Sequence, residues 1–442
     1  MNLFSKKSIF LNTKILLILL IFHFLLMTFL RFQLGWDGHI HFLHSEIWNL
    51  WKDVYLFFIY ILIIWYTYKN NILKQNFTKN KKINILFWII LLFSLIITLL
   101  NFHWLKWLFI GFKYDLWFLF PVIFFSLVDW TKKDINKFYR LILDLLKTVI
   151  IFCIIFAIIR FTHPELLFFF GYGPLWNRTA WWYPPMLFQT GLDWIQRFSG
   201  IFSWPNHMAF YFITFWPIIL FSILNKKLHY IWWILYIILL FGTLSRSWIL
   251  AFWLEIFLIS LFIFKNYRNY RKFILSCFIA IWVGIVSLGS YLYFSWKYNQ
   301  IILRWASTKW HILKVEKTLK DIKENPLWHW IWTAWPAAHY VKNDIIPESW
   351  FLQMFYELWI LWWILWFSFI FYIIFLTYKN IQINYPYLQN KDILKISLSI
   401  WMIGLLFQWL VLHSFEDSMT SLPLFIIVWI ILSLNQNNVS KN

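Results

Sequence analysis

Apolar runs of bilayer-spanning length follow one another along almost the whole of this chain, and that succession limits its fold more than any other feature. The runs fall near 15–30, 54–68, 84–100, 116–128, 141–161, 207–224, 231–244, 248–264, 273–294, 350–376, 393–412 and 421–434. Most reach the ~17–25 residues that cross a hydrocarbon core. Only 13% of the residues are charged, against roughly 25% in a soluble domain, so little polar surface exists to face water. Backbone groups in lipid must bond within their own segment, which makes the spans helices. The runs do not alternate apolar with polar residues, which excludes an outer-membrane barrel. The expected fold is an all-α polytopic integral membrane protein, one membrane domain over 1–442 with about twelve transmembrane helices.

The net charge of +20 suggests nucleic-acid binding until its placement is considered. Lys69, Lys74, Lys79, Lys81 and Lys82 follow the second run; Lys132, Lys133, Lys137 and Arg140 follow the fourth. Lys226 and Lys227 follow the sixth, Lys265, Arg268, Arg271 and Lys272 the eighth, and Lys379 and Lys391 the tenth. Every even-numbered exit is basic, which the positive-inside rule assigns to the cytoplasm. The positive charge therefore reports topology, and no nucleic acid is expected as a partner. A multi-pass protein of the cytoplasmic membrane follows, with both termini cytoplasmic. The first run comes after Lys6, Lys7 and Lys14 and lacks a small-residue cleavage site, so it reads as an uncleaved first helix. Cys153 and Cys277 lie inside apolar runs and do not suggest a disulfide framework.

The opposite, outward side carries two long connections, 162–206 and the larger 295–349 between the ninth and tenth helices. Most connections run about 4–6 residues, and long ordered loops are where function concentrates. The first ends in Arg197-Phe-Ser-Gly200-Ile-Phe202-Ser-Trp204-Pro205-Asn206 at the start of a helix. Pro205 suits a first helical position, and Asn206 is a candidate cap. Arg197 reads equally as a site cation or as a contact to lipid phosphates. Thr243-Leu-Ser245-Arg246-Ser247 separates two apolar runs with almost no linker and predicts a tight outward hairpin. There Arg246 is either functional or a snorkelling turn residue.

The second loop carries Arg304, a Lys/Glu-rich stretch over 309–324 expected as a helix on the membrane surface, then Pro326, His339 and Pro347-Glu348-Ser349. Taken alone, Glu348 beside Ser349 reads as a capping acid. Asp144, Lys147, Arg160 and Glu255 are charges in or near spans, each a functional hypothesis by default; Lys147 and Arg160 lie close enough to helix ends to snorkel. No Gly-rich phosphate loop, Cys/His cluster or nucleophile elbow is present, so neither a metal nor a cofactor is expected.

Together these segments resemble the O-antigen ligase and polymerase family of bacterial membrane proteins. That family's Arg-x-x-Gly-x-Phe-x-x-Pro-Asn signature is matched by Arg197, Gly200, Phe202, Pro205 and Asn206. Its Thr-x-Ser-Arg-Ser/Gly turn is matched by Thr243, Ser245, Arg246 and Ser247. Its long outward loop and the following helix are matched by Pro326, Leu327, Leu352, Glu357 and Ile360. The similarity covers about 190–370. It implies transfer of a glycan from a polyprenyl-diphosphate carrier to an acceptor hydroxyl at the outer membrane face. Arg197 and Arg304 would clamp the diphosphate with Arg246 in support, and Glu348 or His339 would serve as base. Many ligases of the family place a His just before the tenth helix, where this chain has Glu348; His339 lies nearby, and a carboxylate can serve instead. A repeat-unit polymerase of the same family shares the donor. A lipid-linked glycan flippase also has about twelve helices, but should show paired repeats and midplane charges.

Composition holds one anomaly: 35 Trp against 11 Gly. Where the family has Gly, this chain has Trp at 204, 328, 330, 332, 335, 359 and 362. Gly serves where φ is positive or backbones approach closely, and Trp is its worst substitute there. A lineage that reads UGA as glycine, translated with a code that reads it as tryptophan, produces this deficit and excess. Mass spectrometry of the native peptide over 325–340 is expected to find glycine at 328 and 330; tryptophan at both positions sinks the recoding hypothesis.

Overall fold

The computed structural model describes residues 4–33, 41–79, 81–100, 120–163, 165–169, 188–189, 196–202, 205–243, 245–266, 287, 290, 305–324, 349–379, 388–408 and 426. Among them the chain is helical, apart from a two-residue antiparallel ladder. Its elements are α1 Lys6–Gln33, α2 His41–Lys69, α3 Leu73–Lys79, α4 Lys81–Leu100, α5 Phe120–Ser126, α6 Lys132–Thr162 and α7 Leu166–Phe169. The ladder of β1 Phe188–Gln189 and β2 Gln196–Arg197 follows. Then come α8 Pro205–Leu224, α9 Tyr230–Gly242, α10 Arg246–Asn266, α11 Trp305–Glu324, α12 Trp350–Lys379 and α13 Asn390–Gln408. The expected runs at 273–294 and 421–434 lie almost wholly outside the described residues. Two described helices, α6 and α8, are long and apolar enough to cross a membrane, with mean hydropathies of 2.7 and 1.8 over their best windows.

Several helices outrun their apolar stretches because polar residues cap or extend them. α6 begins nine residues before its apolar run (132 against 141), on a capping box. The Asp134 backbone N–H donates to the Thr131 hydroxyl at 3.3 Å, and the Thr131 backbone N–H donates to the Asp134 carboxylate at 3.0 Å, so two end groups satisfy each other. α9 starts on His229, whose ring accepts from the Ile231 N–H. At α12 the Ser349 hydroxyl accepts from the Leu352 N–H, so the serine caps this helix; Glu348 lies outside the described residues. The stretch expected as a surface helix forms α11 and is tied to α12 by the Tyr356 hydroxyl donating to Asp321 at 2.8 Å.

α8 is the centre of the bundle. It packs against α9, α10 and α13, and α6 packs against α9 and α13. Fifteen of its twenty residues are buried, and a helix apolar all round belongs in a core. Hydrogen bonds define the two ends of the bundle. At one end Lys6 of α1 pairs with Asp134 at 2.9 Å. Lys227, just past α8, bonds the Leu388 carbonyl and Asn390 at the start of α13. Asn390 in turn donates to Asn136 of α6 at 2.9 Å. At the other end meet the last turn of α6, β2, the first turn of α8 and the α9–α10 turn, described below.

The Lys6–Asp134 contact carries a pH signature. Burial pushes the Asp134 carboxyl up, but hydrogen bonds from Lys6 and Thr131 outweigh it and leave it below its ordinary value of 3.8. A folded value below the unfolded one stabilises above the ordinary carboxylate range and is lost as pH falls through the lowered value. Asp134→Ala is therefore expected to cost about 1 kcal/mol near neutrality, as lost helix caps do. It should also flatten the acid limb of the unfolding curve below about pH 4. Thermal unfolding across pH 2–7 checks both, and an acid limb unchanged in the variant overturns the assignment.

Candidate functional site

The two signature segments meet at the end of the bundle opposite Lys6 and Lys227, where Arg197, Gly200, Phe202, Pro205, Asn206, Thr243 and Ser245 each have a visible place. Arg197 closes the β1–β2 ladder opposite Phe188. Its Nε donates to the Thr243 carbonyl at 2.9 Å, and one terminal nitrogen donates to Asn206 Oδ1 at 2.6 Å. The same Oδ1 accepts from the Ser245 hydroxyl at 2.9 Å. The Phe198 N–H donates to the Gly242 carbonyl at 2.8 Å. A tight turn over 199–202 follows, closed by the Phe202 N–H to the Ser199 carbonyl at 3.0 Å. Gly200 sits there at φ +56°, and a Cβ on it would lie 2.5 Å from Cys153 Sγ of α6. The position is thus closed to side chains by both backbone and packing. Phe202 then packs on Tyr211, ring centroids 5.1 Å apart, and Pro205 opens α8 with its preset φ. The spacing of the first signature is the distance from the ladder, around one turn, to the helix.

Two expectations change. Asn206 does not cap α8: it lies inside the first turn, and its side-chain oxygen is used by Arg197 and Ser245. A side-chain oxygen with two close donors from other elements gains more there than from one backbone N–H. Arg160 does not snorkel. It is 6% exposed; its Nη1 donates to the Arg197 carbonyl at 2.8 Å, and its guanidinium lies 5.8 Å from the Phe198 ring centre. Arg160 thus joins the junction, a place that sequence reasoning did not give it. The available signal was its place at the end of α6, beside the loop that carries Arg197. Lys147, by contrast, stays on an exposed face and pairs loosely with Asp144 at 3.6 Å.

The site's electrostatics follow from these partners. Among the described hydrogen bonds, Arg160 and Arg197 donate to backbone carbonyls and to the Asn206 amide, which hold the two guanidiniums at this end of the bundle. Planar guanidinium forks suit phosphate oxygens. The turn between α9 and α10 is as tight as its sequence predicts, since Gly242 ends one helix and Arg246 begins the next. The Arg246 side chain, Arg304, His339, Glu348 and the Trp-rich segment 328–335 lie outside the described residues, as do Trp204 and the side chains at 359 and 362. Among the described residues no group of His, Cys, Asp or Glu is arranged to hold a metal ion. No protein-family model, curated protein or solved structure matches this chain.

Proposed function

We propose that this chain is a membrane-embedded glycosyltransferase that moves a glycan from a polyprenyl-diphosphate carrier to an acceptor hydroxyl at the outer face of the cytoplasmic membrane. The observation that carries the reading is the convergence of Arg197, Asn206 and Ser245, from two segments about forty residues apart, on one junction that holds the Arg197 guanidinium. About twelve spans with cytoplasmic termini complete the proposal. Its support is that Lys6 and Lys227 stand at one end of the bundle and the signature residues at the other, an arrangement that suits an outward site under the positive-inside rule.

The chemistry asks three things of the protein. The acceptor oxygen attacks the anomeric carbon and gives its proton to a base, a role assigned to Glu348 or His339. The bond from that carbon to the diphosphate oxygen breaks, and the leaving diphosphate keeps the electron pair. Its growing charge is met by Arg197, with Arg304 and Arg246 in support, as preorganised donors stabilise a developing anion. The lipid tail lies between helices.

Arg197→Ala is expected to lower glycan transfer at least ~100-fold, the usual effect of losing one such donor, while membrane insertion is retained. Arg197→Lys keeps the charge but loses the fork, and is expected to recover only part of the rate. The assay supplies a polyprenyl-diphosphate glycan and candidate acceptors to reconstituted protein. Normal transfer by correctly inserted Arg197→Ala protein refutes the assignment. Growth of the donor's own glycan chain identifies a polymerase, and carrier crossing the bilayer without transfer identifies a flippase.

A further inference from the structure

A groove of about 460 Å³ opens between α10, α12 and α13, toward the ends of these helices that lie away from the Arg197 junction. Its size falls in the range of ligand sites, roughly 300–1,000 Å³. α13 packs against both other helices and supplies the floor, where Ile396 and Ser399 are buried. α10 and α12 supply the walls. There Leu261, Phe371, Phe375 and Tyr378 are each more than half exposed. The lining recurs at helical spacing, at 258 and 261, at 371, 375 and 378, and at 396, 399 and 403, so one face of each helix is given over to it. Ser399 brings the only polar side chain among the described residues of the floor, and its hydroxyl donates to Thr377 Oγ1 at 2.9 Å, inside the protein. The groove therefore suits a ligand with no polar group at this depth.

From Ile396 to Ile403 the groove runs about 10 Å at ~1.5 Å per residue, within one half of a ~30 Å hydrocarbon core. Lysines stand where it ends. On α10, Lys265 follows Leu261 by one turn. On α12, Lys379 follows Phe375 by one turn and closes the helix. On α13, Lys391 lies in the first turn and Lys395 one turn before Ser399. Asp392 is the acid of that first turn, and Lys227 and Lys395 both interact with it. Lysine thus outnumbers acid at the end of an apolar slot, the arrangement that holds an anionic headgroup between membrane helices. Any hydrocarbon chain can fill the slot, and the lysines decide which lipid stays. The glycan carrier suits it less, because its diphosphate belongs at the Arg197 end of the bundle.

We propose that this groove binds an anionic phospholipid of the cytoplasmic leaflet, with one acyl chain lying on α13 between α10 and α12 and the phosphate at the lysines of the helix ends. The choice of leaflet rests on the topology given under the proposed function; glycan transfer plays no part in it. A chain seated there touches three helices at once, so the bound lipid also stabilises the bundle by mass action.

The test is native mass spectrometry of the full chain in detergent, titrated with dioleoyl phosphatidylglycerol or dioleoyl phosphatidylcholine, which share their chains and differ in charge. One lysine near the membrane surface favours an anionic lipid about fivefold, so two predict a preference of roughly 25-fold for phosphatidylglycerol at one saturable site. Lys265→Gln with Lys379→Gln should remove most of that preference. Ile403→Phe puts a ring at the far end of the groove. It should weaken both lipids about tenfold, the loss of roughly two buried methylenes, and leave their ratio unchanged. The lysine pair lies at helix ends, so its result stands even if Ile403→Phe fails to fold. Equal affinity for the two lipids, or a preference that the lysine pair leaves intact, overturns the site. Lipid-free dimers overturn it in favour of a second copy of the chain, and tighter binding of polyprenyl phosphate at the same site overturns it in favour of the carrier. Labelling of Lys391→Cys by an impermeant maleimide from outside intact cells overturns the leaflet, whatever the lipid preference read in detergent.

Discussion

Gly404→Ala is expected to destabilise the bundle by about 3 kcal/mol, the upper range for overpacking a filled core. Helix propensity alone gives the opposite sign, because alanine inside a helix is better than glycine by about 1 kcal/mol. Packing decides between them. A Cβ at 404 would lie 2.6 Å from Glu255 Cγ and 2.7 Å from its Cδ, separations that real Cβ atoms do not adopt. The carboxyl cannot swing away cheaply, since its other oxygen is held by the Trp216 indole and its surroundings are buried on every side. The same contact predicts strong coupling. In a double-mutant cycle with Glu255→Ala, the second substitution should return about 1–3 kcal/mol of the first, the range for residues in direct contact. Thermal or denaturant unfolding in detergent supplies the four stabilities. A Gly404→Ala protein as stable as the parent, or a cycle that is simply additive, removes the α10–α13 contact from the account.

The second large effect falls on Asn206. Asn206→Ala withdraws one oxygen from two donors at once, the Arg197 guanidinium at 2.6 Å and the Ser245 hydroxyl at 2.9 Å. A bond to a charged donor is worth about 1.5–3 kcal/mol and a neutral one about 1 kcal/mol, so a loss of roughly 3 kcal/mol is expected. On the proposed function, loss of transfer is expected to accompany it, because the junction no longer holds β2 against the α9–α10 turn. Asn206→Asp separates bracing from charge. It keeps the acceptor oxygen, so stability should stay near that of the parent. Its carboxylate offsets the Arg197 charge, so the affinity for a diphosphate-linked donor should fall. Stability retained together with full donor affinity would assign Arg197 to bracing alone.

Much of this architecture is legible in the chain as written. Hydropathy locates α6, α8, α9, α10, α12 and α13 to within a few residues, except where polar caps lengthen them, as Thr131 and Asp134 do at α6. Pro205 marks the first residue of α8, and the short segment around Ser245 marks the hairpin. The glycine signature is legible too, since Gly200 takes the positive φ that its place in a tight turn requires. The use of Asn206 is not, because the same residue type at a helix start ordinarily caps it. Arg160 is misread for a related reason. At a helix end, an arginine that reaches solvent and one that folds back onto a strand have identical sequence context.

Sequence by itself therefore determined the described helices and the two segments that meet at the candidate site. Those properties arise from hydropathy, charge and backbone preference, which act over a turn or two of chain. Tertiary structure alone decided which residues meet. Arg160 reaches the Arg197 carbonyl across 37 positions, Arg197 reaches Thr243 across 46, and Ser245 reaches Asn206 across 39. Glu255 finds its room at Gly404 on another helix. Each of these contacts depends on how far one helix is turned and slid against another. Summed packing of the whole interface sets that register, and no local pattern records it.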